Sequence, residues 1–157
     1  SPASPSPSPE DSRSPAASEG GACKRLDYDK VESTIGVSFD VAVAGKEGKT
    51  RSCVLQVTGH EFPDLTLTTS PTKAGPKVFR DTVAPSGGKE VSGLGEAAYR
   101  VVRGGKAGAG PTAQVGWLTG DWIVMLRHTY EPEVSKAQAR QKTPRLVKLA
   151  RQIQKQM

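Results

Sequence analysis

Two apolar runs separated by a single Gly-Asp pair, within residues 113–130, constrain the fold of this chain more than any other feature. Gly120-Asp121 has the composition of a two-residue β-hairpin turn, and such a turn fixes which residues face each other. The predicted pairs are Thr119 with Trp122, Trp117 with Val124 and Val115 with Leu126 on one face, and Leu118 with Ile123 and Gly116 with Met125 on the other. Because both faces are apolar near the turn, we expect helices above and below this hairpin.

The segments before the hairpin predict a short helix and several strands. Leu26, Val31 and Ile35 recur at helical spacing, with Asp27 as the N-cap and Gly36 just past the end. Apolar and polar residues alternate with the period of a β-strand over 37–43, and the segments 51–57 and 64–69 each carry apolar residues at every second position. Residues 97–102 predict a fourth strand. We interpret the first three of these strands as an antiparallel meander.

A last helix is predicted to begin at Thr143 as N-cap, with Pro144 at the first helical position. Residues 135–141 are interpreted as an earlier turn or a separate short helix, since Pro144 would break a continuous one. Its apolar residues recur at helical spacing and form one stripe, which is available to cover the hairpin. The predicted fold class is therefore α+β. It is an antiparallel sheet of about six strands flanked by a short N-terminal helix and a C-terminal helix.

Residues 1–22 differ in composition from the rest of the chain. The first 21 residues contain seven Ser and five Pro, with no aromatic or branched apolar side chain to bury. We predict a disordered tether over residues 1–22 and a single domain over 23–157. The start lacks a charged region followed by an apolar one, so no signal peptide is expected in this chain and we interpret it as mature or trimmed.

Cys23 and Cys53 are the only cysteines, and in an exported chain such a pair usually forms a disulfide. A bridge that closes a loop of this length stabilises the fold by roughly 3.5 kcal/mol. The alternative is two free buried thiols, which would be typical of a cytosolic protein.

The sequence contains no convincing catalytic, metal or nucleotide motif. Residues 93–98 match the G-x-G-x-x-A pattern, but the residues after it favour a strand over a helix, so a tight turn is the better interpretation. His60 and His128 are far apart and lack metal-ligand spacing; we expect a loop residue and a partly buried strand residue respectively. No serine lies in a G-x-S-x-G elbow. We predict neither catalytic residues nor a cofactor.

The net charge of +6 comes from one end of the chain. Residues 134–157 contain seven basic residues and no acidic one. These are Lys136, Arg140, Lys142, Arg145, Lys148, Arg151 and Lys155. They predict either an ordinary solvated helix face or a contact with an anionic surface such as lipid headgroups or cell-wall polymers. The absence of aromatics among them argues against nucleic acid.

The Ser/Pro tether, Cys23 opening the first helix, Cys53 in a strand and residues 93–98 before a hairpin and final helix resemble the secreted lipoproteins of Streptomyces and related actinobacteria. Many such families have unknown function, and some relatives resemble the Mog1/PsbP-type α/β/α sandwich. The resemblance implies a lipid-modified cysteine before Ser1 and a domain anchored at the outer face of the cytoplasmic membrane.

These observations favour a non-enzymatic domain of the cell envelope that binds an envelope protein or modulates a membrane sensor, in an oligomeric state that the sequence leaves open. The alternative is a carrier of small ligands or lipids, with a pocket lined by Trp117, Trp122 or Tyr130. A hydrolase would require a cleft with a perturbed carboxylate.

Overall fold

A computed structural model describes residues 14–157. Seven strands occur in this part of the chain: β1 Val41–Glu47, β2 Thr50–Val57, β3 His60–Pro71, β4 Lys89–Glu90, β5 Ala97–Arg103, β6 Thr112–Thr119 and β7 Trp122–Thr129. The helices are α1 Tyr28–Ile35, the short α2 Pro76–Val78 continued by a π-helical turn Phe79–Val83, and α3 Lys136–Lys155. Two 3-10 helices, Ala16–Glu19 and Gly21–Arg25, precede α1.

The strands form one antiparallel sheet in the order β1-β2-β3-β7-β6-β5-β4, so the class is α+β as predicted. The predicted number of about six strands was wrong, because Lys89 and Glu90 pair with Arg100 and Tyr99 and add a two-residue strand at one edge. The predicted meander is present as β1, β2 and β3.

The hairpin of β6 and β7 has the predicted register at each of the five pairs. Trp117 lies opposite Val124, and Leu118 lies opposite Ile123 on the other face. The two residues of the turn, Gly120 and Asp121, leave no freedom for another alignment.

The first strand lies further along the chain than its alternation predicted. Pairing with β2 begins at Val41, and the turn follows at Gly48, which has a positive φ of 61°. Phe39 lies before the strand and is fully buried in the main core, whereas Val43 is 53% exposed. Period-two alternation identified the strand but did not locate its ends, because Phe39 is buried without belonging to it.

The sheet carries a core on each side. The larger core lies beneath α3, α1 and the 3-10 helices and includes Trp117, Leu126 and Leu67. The smaller core packs Phe79 of the π-helical turn against Tyr99 and Leu118, with the two aromatic ring centroids 5.9 Å apart. The hairpin therefore has cover on both faces, with a long helix on one and only a short helical segment on the other.

The predicted disulfide is present between Cys23 and Cys53, which are both fully buried and whose Cα atoms are 4.9 Å apart. It joins the second 3-10 helix to β2. Asp27 caps α1 as predicted, accepting hydrogen bonds from the backbone of Asp29 and Lys30. Gly36 ends this helix in the left-handed conformation.

Residues 1–13 of the predicted tether lie outside the described residues. In the described remainder, Ala16–Glu19 form a 3-10 helix and Ala16 is 1% exposed within the main core. Packed structure therefore starts before Cys23. The segment has no large apolar side chain, but the methyl groups of Ala16 and Ala22 are buried in the main core.

Candidate functional site

The helix that carries the basic residues is longer than predicted, since α3 begins at Lys136 and continues through Pro144. Ser135 is the N-cap, with its hydroxyl accepting from Gln138 N (3.1 Å) and its own N–H donating to the Gln138 side chain (2.9 Å). This reciprocal capping box satisfies two groups at the helix start. The prediction that Thr143 is the N-cap was therefore wrong. Thr143 is buried and its hydroxyl donates to Ala139 O at 2.9 Å.

One side of α3 packs on the sheet and the rest is solvated. The packed side contains Ala139, Thr143, Leu146, Val147, Leu149, Ala150 and Ile153, all buried. The exposed side carries every one of the seven predicted basic residues. The basic face is the name used below for Lys136, Arg140, Lys142, Arg145, Lys148, Arg151 and Lys155.

Few intramolecular contacts hold the basic face. Arg151 donates to Ser92 O at 2.9 Å, and the Lys142 ammonium lies 5.8 Å from the centre of the Tyr130 ring. Within residues 14–157, none of the seven side chains forms an ion pair with a carboxylate. Helix α3 contains no acidic residue. The helix therefore presents positive charge that the described part of the domain does not neutralise.

The three aromatic residues predicted to line a pocket do not come together. Trp117 is fully buried in the main core and its indole N–H donates to Gln154 Oε1 at 2.8 Å. Tyr130 is also buried, with its ring centroid 4.0 Å from that of His128. Trp122 lies at the hairpin end and is 41% exposed. Two of them are core residues and the third is a surface residue.

None of those aromatics lines any of three clefts that are bounded by described residues. The largest of these three, of about 520 Å³, lies between the N-terminal half of α3 and the β4–β5 edge of the sheet and is called the largest cleft below. A second, of about 230 Å³, lies where β5, β6 and β7 meet the 104–110 loop. The third, of about 290 Å³, separates α1 from the end of α3. The first cleft is lined by Gly87, Lys89, Arg100, Val101, Val102, Arg140, Gln141, Thr143 and Pro144.

No short motif marks the residues of the largest cleft. Lys89 and Arg100 are eleven positions apart in the sequence, and Arg140 follows only after the β6–β7 hairpin. The three residues therefore come together only in the folded domain. The strand β4, which carries Lys89, has only two residues, and this is too short for an alternation of apolar and polar residues to be recognised in the sequence.

Four ionisable groups have a shifted pKa, and none of them lines one of these clefts. Burial raises the pKa of Tyr99 and of Tyr130. Burial, with a smaller contribution from Lys142, lowers the pKa of His128 from 6.5 to about 4. Burial raises the pKa of Asp64, and the nearby Arg127 opposes that rise. His128 pairs with Leu65 across the strands and therefore shares its face of the sheet. Asp64 precedes Leu65 in β3 and so lies on the opposite face from His128. They are not arranged as a catalytic pair.

The remaining predicted sites have ordinary structural roles. His60 is the exposed first residue of β3 instead of a loop residue. Gly93 and Gly95 have positive φ values of 73° and 59° in a bend over residues 92–96, and strand β5 follows them, where a dinucleotide-binding loop would lead into a helix. Among residues 14–157, no group of three or more His, Cys, Asp or Glu side chains is placed to hold a metal ion. No helix in this range is long and apolar enough to cross a membrane.

The described structure thus defines a class: an α+β domain with a disulfide near its start and a basic C-terminal helix across its sheet. Comparisons of the chain with protein-family models, with curated proteins and with solved structures found no match.

Proposed function

We propose that this chain is a non-catalytic domain of a cell-envelope lipoprotein that binds an acidic surface of an envelope protein, such as a membrane sensor, through the basic face of α3. The observation that carries the proposal is the seven exposed cations of α3, which have no carboxylate partner among the described residues. Charges arranged in this way steer an oppositely charged partner and select against a basic one.

The shape of α3 supports a docking surface. Its 20 residues make a rod of about 30 Å, and the cations are distributed along its whole length. A long, convex, charged rod is suited to a broad partner surface. Binding through such exposed charges depends on salt, because ions screen them over about 10 Å at ordinary ionic strength.

The alternative function, a carrier of small apolar ligands or lipids, has less support. A carrier needs a large apolar cavity, but Trp117 and Tyr130 fill the space between sheet and helix where such a cavity was expected. The three clefts described above open to solvent and contain basic or polar side chains.

The location is part of the same proposal. The Ser/Pro composition of the first residues supports a spacer, and the disulfide of Cys23 and Cys53 supports folding in an oxidising compartment. We place the domain outside the cytoplasmic membrane, held by a lipid anchor that precedes Ser1. The sheet with helical cover is compatible with a Mog1/PsbP-type sandwich, which remains our proposal for its finer classification.

The experiment is chemical crosslinking on intact cells that produce the protein. It compares the natural chain with a variant carrying Arg145→Gln, Lys148→Gln and Lys155→Gln, which are exposed and make no intramolecular ion pair among the described residues. The yield of protein adduct is expected to fall by about 3- to 150-fold in the variant, because three charge pairs of about 0.2–1 kcal/mol each are removed.

The matched control carries Lys46→Gln, Lys49→Gln and Lys77→Gln, which removes the same charge from exposed sites outside α3. Its adduct is expected to be unchanged, and equal loss in both variants would contradict the proposal. Flotation with vesicles of anionic lipid tests the membrane alternative. The protein-partner proposal would be contradicted if no protein adduct forms and vesicle binding is salt-sensitive and depends on Arg145, Lys148 and Lys155. The partner of the basic face would then be the membrane surface.

A further inference from the structure

The largest cleft collects positive charge from three separate elements. Lys89 comes from β4, Arg100 from β5 and Arg140 from α3, and all three line its wall. The other lining residues are neutral, so no carboxylate contributes to the wall. Within residues 14–157, none of the three cations is held in an ion pair.

Two of these cations face each other directly. In the register of β4 and β5, Lys89 is the cross-strand partner of Arg100, so both side chains lie on the same face of the sheet. Like charges in directly opposed positions destabilise a strand pair. An anion between them would remove this repulsion, whereas no group of the described chain does so.

The geometry also suits a small ligand. A volume of about 520 Å³ lies in the range of small-molecule sites, and Arg100 is half-buried while Lys89 and Arg140 are exposed at the sides. The Gln141 amide adds a neutral polar group, and Val101, Val102 and Pro144 supply apolar wall. A planar Arg guanidinium that is partly removed from water is the side chain that binds phosphoryl oxygens best.

The second cleft provides a contrast. Arg103, Lys106 and Arg127 line it, but Arg127 lies close enough to Asp64 to oppose the rise in the pKa of that carboxyl. Part of its charge is therefore already balanced by a carboxylate. The largest cleft has no comparable group in its wall.

We propose that the cleft between α3 and the β4–β5 edge binds a small, multiply charged phosphoryl compound, with Arg100 as the central contact and Lys89 and Arg140 at its sides. This inference goes beyond the proposed function, because it concerns a small-molecule site that shares only Arg140 with the basic face. It stands if the crosslinking experiment on α3 fails.

The test is isothermal titration calorimetry of the purified chain with inorganic pyrophosphate and, separately, with glycerol phosphate. Binding at millimolar concentration or below is expected for pyrophosphate. Additional binding of glycerol phosphate would assign the ligand to the phosphomonoester headgroup class, and its absence would assign it to free polyphosphates. No heat of binding with either compound would overturn the proposal.

Arg100→Gln is expected to weaken pyrophosphate binding about tenfold or more, since one charge-assisted contact is lost. Arg103→Gln is the matched control, because it removes the same charge from the same strand, β5. Arg103 lies on the opposite face of β5 from Arg100, together with Tyr99 and Val101, and lines the second cleft. Weakening by the control as large as that by Arg100→Gln would overturn the assignment of the site.

Lys89→Glu gives an independent test that does not depend on the half-buried Arg100, since Lys89 is exposed at the sheet edge. It turns a repulsive cross-strand pair into an attractive one, so the midpoint of thermal unfolding without ligand is expected to rise by about 1–4 °C. Pyrophosphate binding is expected to fall at the same time. A variant that is no more stable, or that binds pyrophosphate as well as the natural chain, would contradict the proposal.

Discussion

Two buried polar side chains on the α3 side of the sheet, Trp117 and His128, differ in whether their hydrogen-bonding groups find partners. The Trp117 indole donates to Gln154, and the Gln154 amide in turn donates to Thr119 at 2.9 Å, so this chain of polar groups is satisfied. His128 is 2% exposed, and neither ring nitrogen has a hydrogen-bond partner in the described part of the chain. It is held by packing, including the Tyr130 ring. Burial without a partner disfavours the charged form of this side chain, so protonation of His128 destabilises the folded domain.

The stability of the domain is therefore expected to fall as the pH is lowered. The pKa of His128 is about 4 in the folded chain against 6.5 for an unperturbed histidine, so the unfolded chain binds the proton more tightly. The loss begins near pH 6.5, grows as the pH falls to about 4, and reaches up to about 3 kcal/mol in the free energy of unfolding. Urea unfolding followed by circular dichroism from pH 7.5 to 4 measures it.

The control for this prediction is His128→Phe, which keeps an aromatic ring against Tyr130. Its free energy of unfolding is expected to vary less between pH 6.5 and 4 than that of the natural chain. Asp64, whose pKa is raised by burial, remains in both proteins and its effect cancels in the comparison. Identical pH profiles for the two proteins would contradict the account of His128.

At the scale of elements, α3 shows how tertiary contacts override a local signal. Pro144 predicted a helix start, since a proline in a helix interior removes one backbone hydrogen bond and collides with the preceding turn. The helix nevertheless runs through it, because Ser135 and Gln138 cap a start eight residues earlier than predicted, and Ala139 and Thr143 are buried against the sheet. The Ser-x-x-Gln capping pattern at residues 135–138 is present in the sequence, but it did not enter the prediction, which was based on Thr143 and Pro144.

Pro144→Ala is accordingly expected to stabilise the domain. It restores the missing N–H within α3, and we expect the free energy of unfolding to rise by about 1–3 kcal/mol in urea. Pro132→Ala is the control, since Pro132 lies outside the helix and its replacement only adds freedom to the unfolded chain. It should leave stability unchanged or slightly lower. A destabilised Pro144→Ala would show that the proline ring contributes more by packing than it costs the helix.

The β6–β7 hairpin is the opposite case, in which sequence was sufficient. A two-residue turn and two apolar runs determine a register without reference to the rest of the chain, and each predicted pair was confirmed. The edge strand β1, in contrast, was predicted four residues too early, because no short turn fixes its register from the sequence alone. Its limits depend on where β2 pairs with it, and alternation alone carries no such information.

At the scale of the molecule, sequence predicted the class, the disulfide and the two-sided cover of the hairpin, but not how residues from distant elements meet. Trp117 and Tyr130 were expected in a pocket because aromatics often line one, but α3 buries both in the core. Lys89 and Arg100 were not predicted as part of any site, and Arg140 was predicted only as one cation of the basic helix, because the proximity of the three depends on a sheet order in which β4 lies at the edge beside β5. The exposed charge of α3 was predictable, since all its cations lie outside the apolar stripe.

The central claim is that the domain works by binding a protein through the basic face of α3. The most direct measurement places a photo-activated crosslinking side chain at one position at a time, in cells that produce the protein. Position Lys148 lies on the basic face, and position Val43, which is 53% exposed on β1, reports the opposite side of the sheet. A protein adduct from Lys148 and none from Val43 is the predicted result; adducts from Val43 alone, or equally from both, would contradict the account.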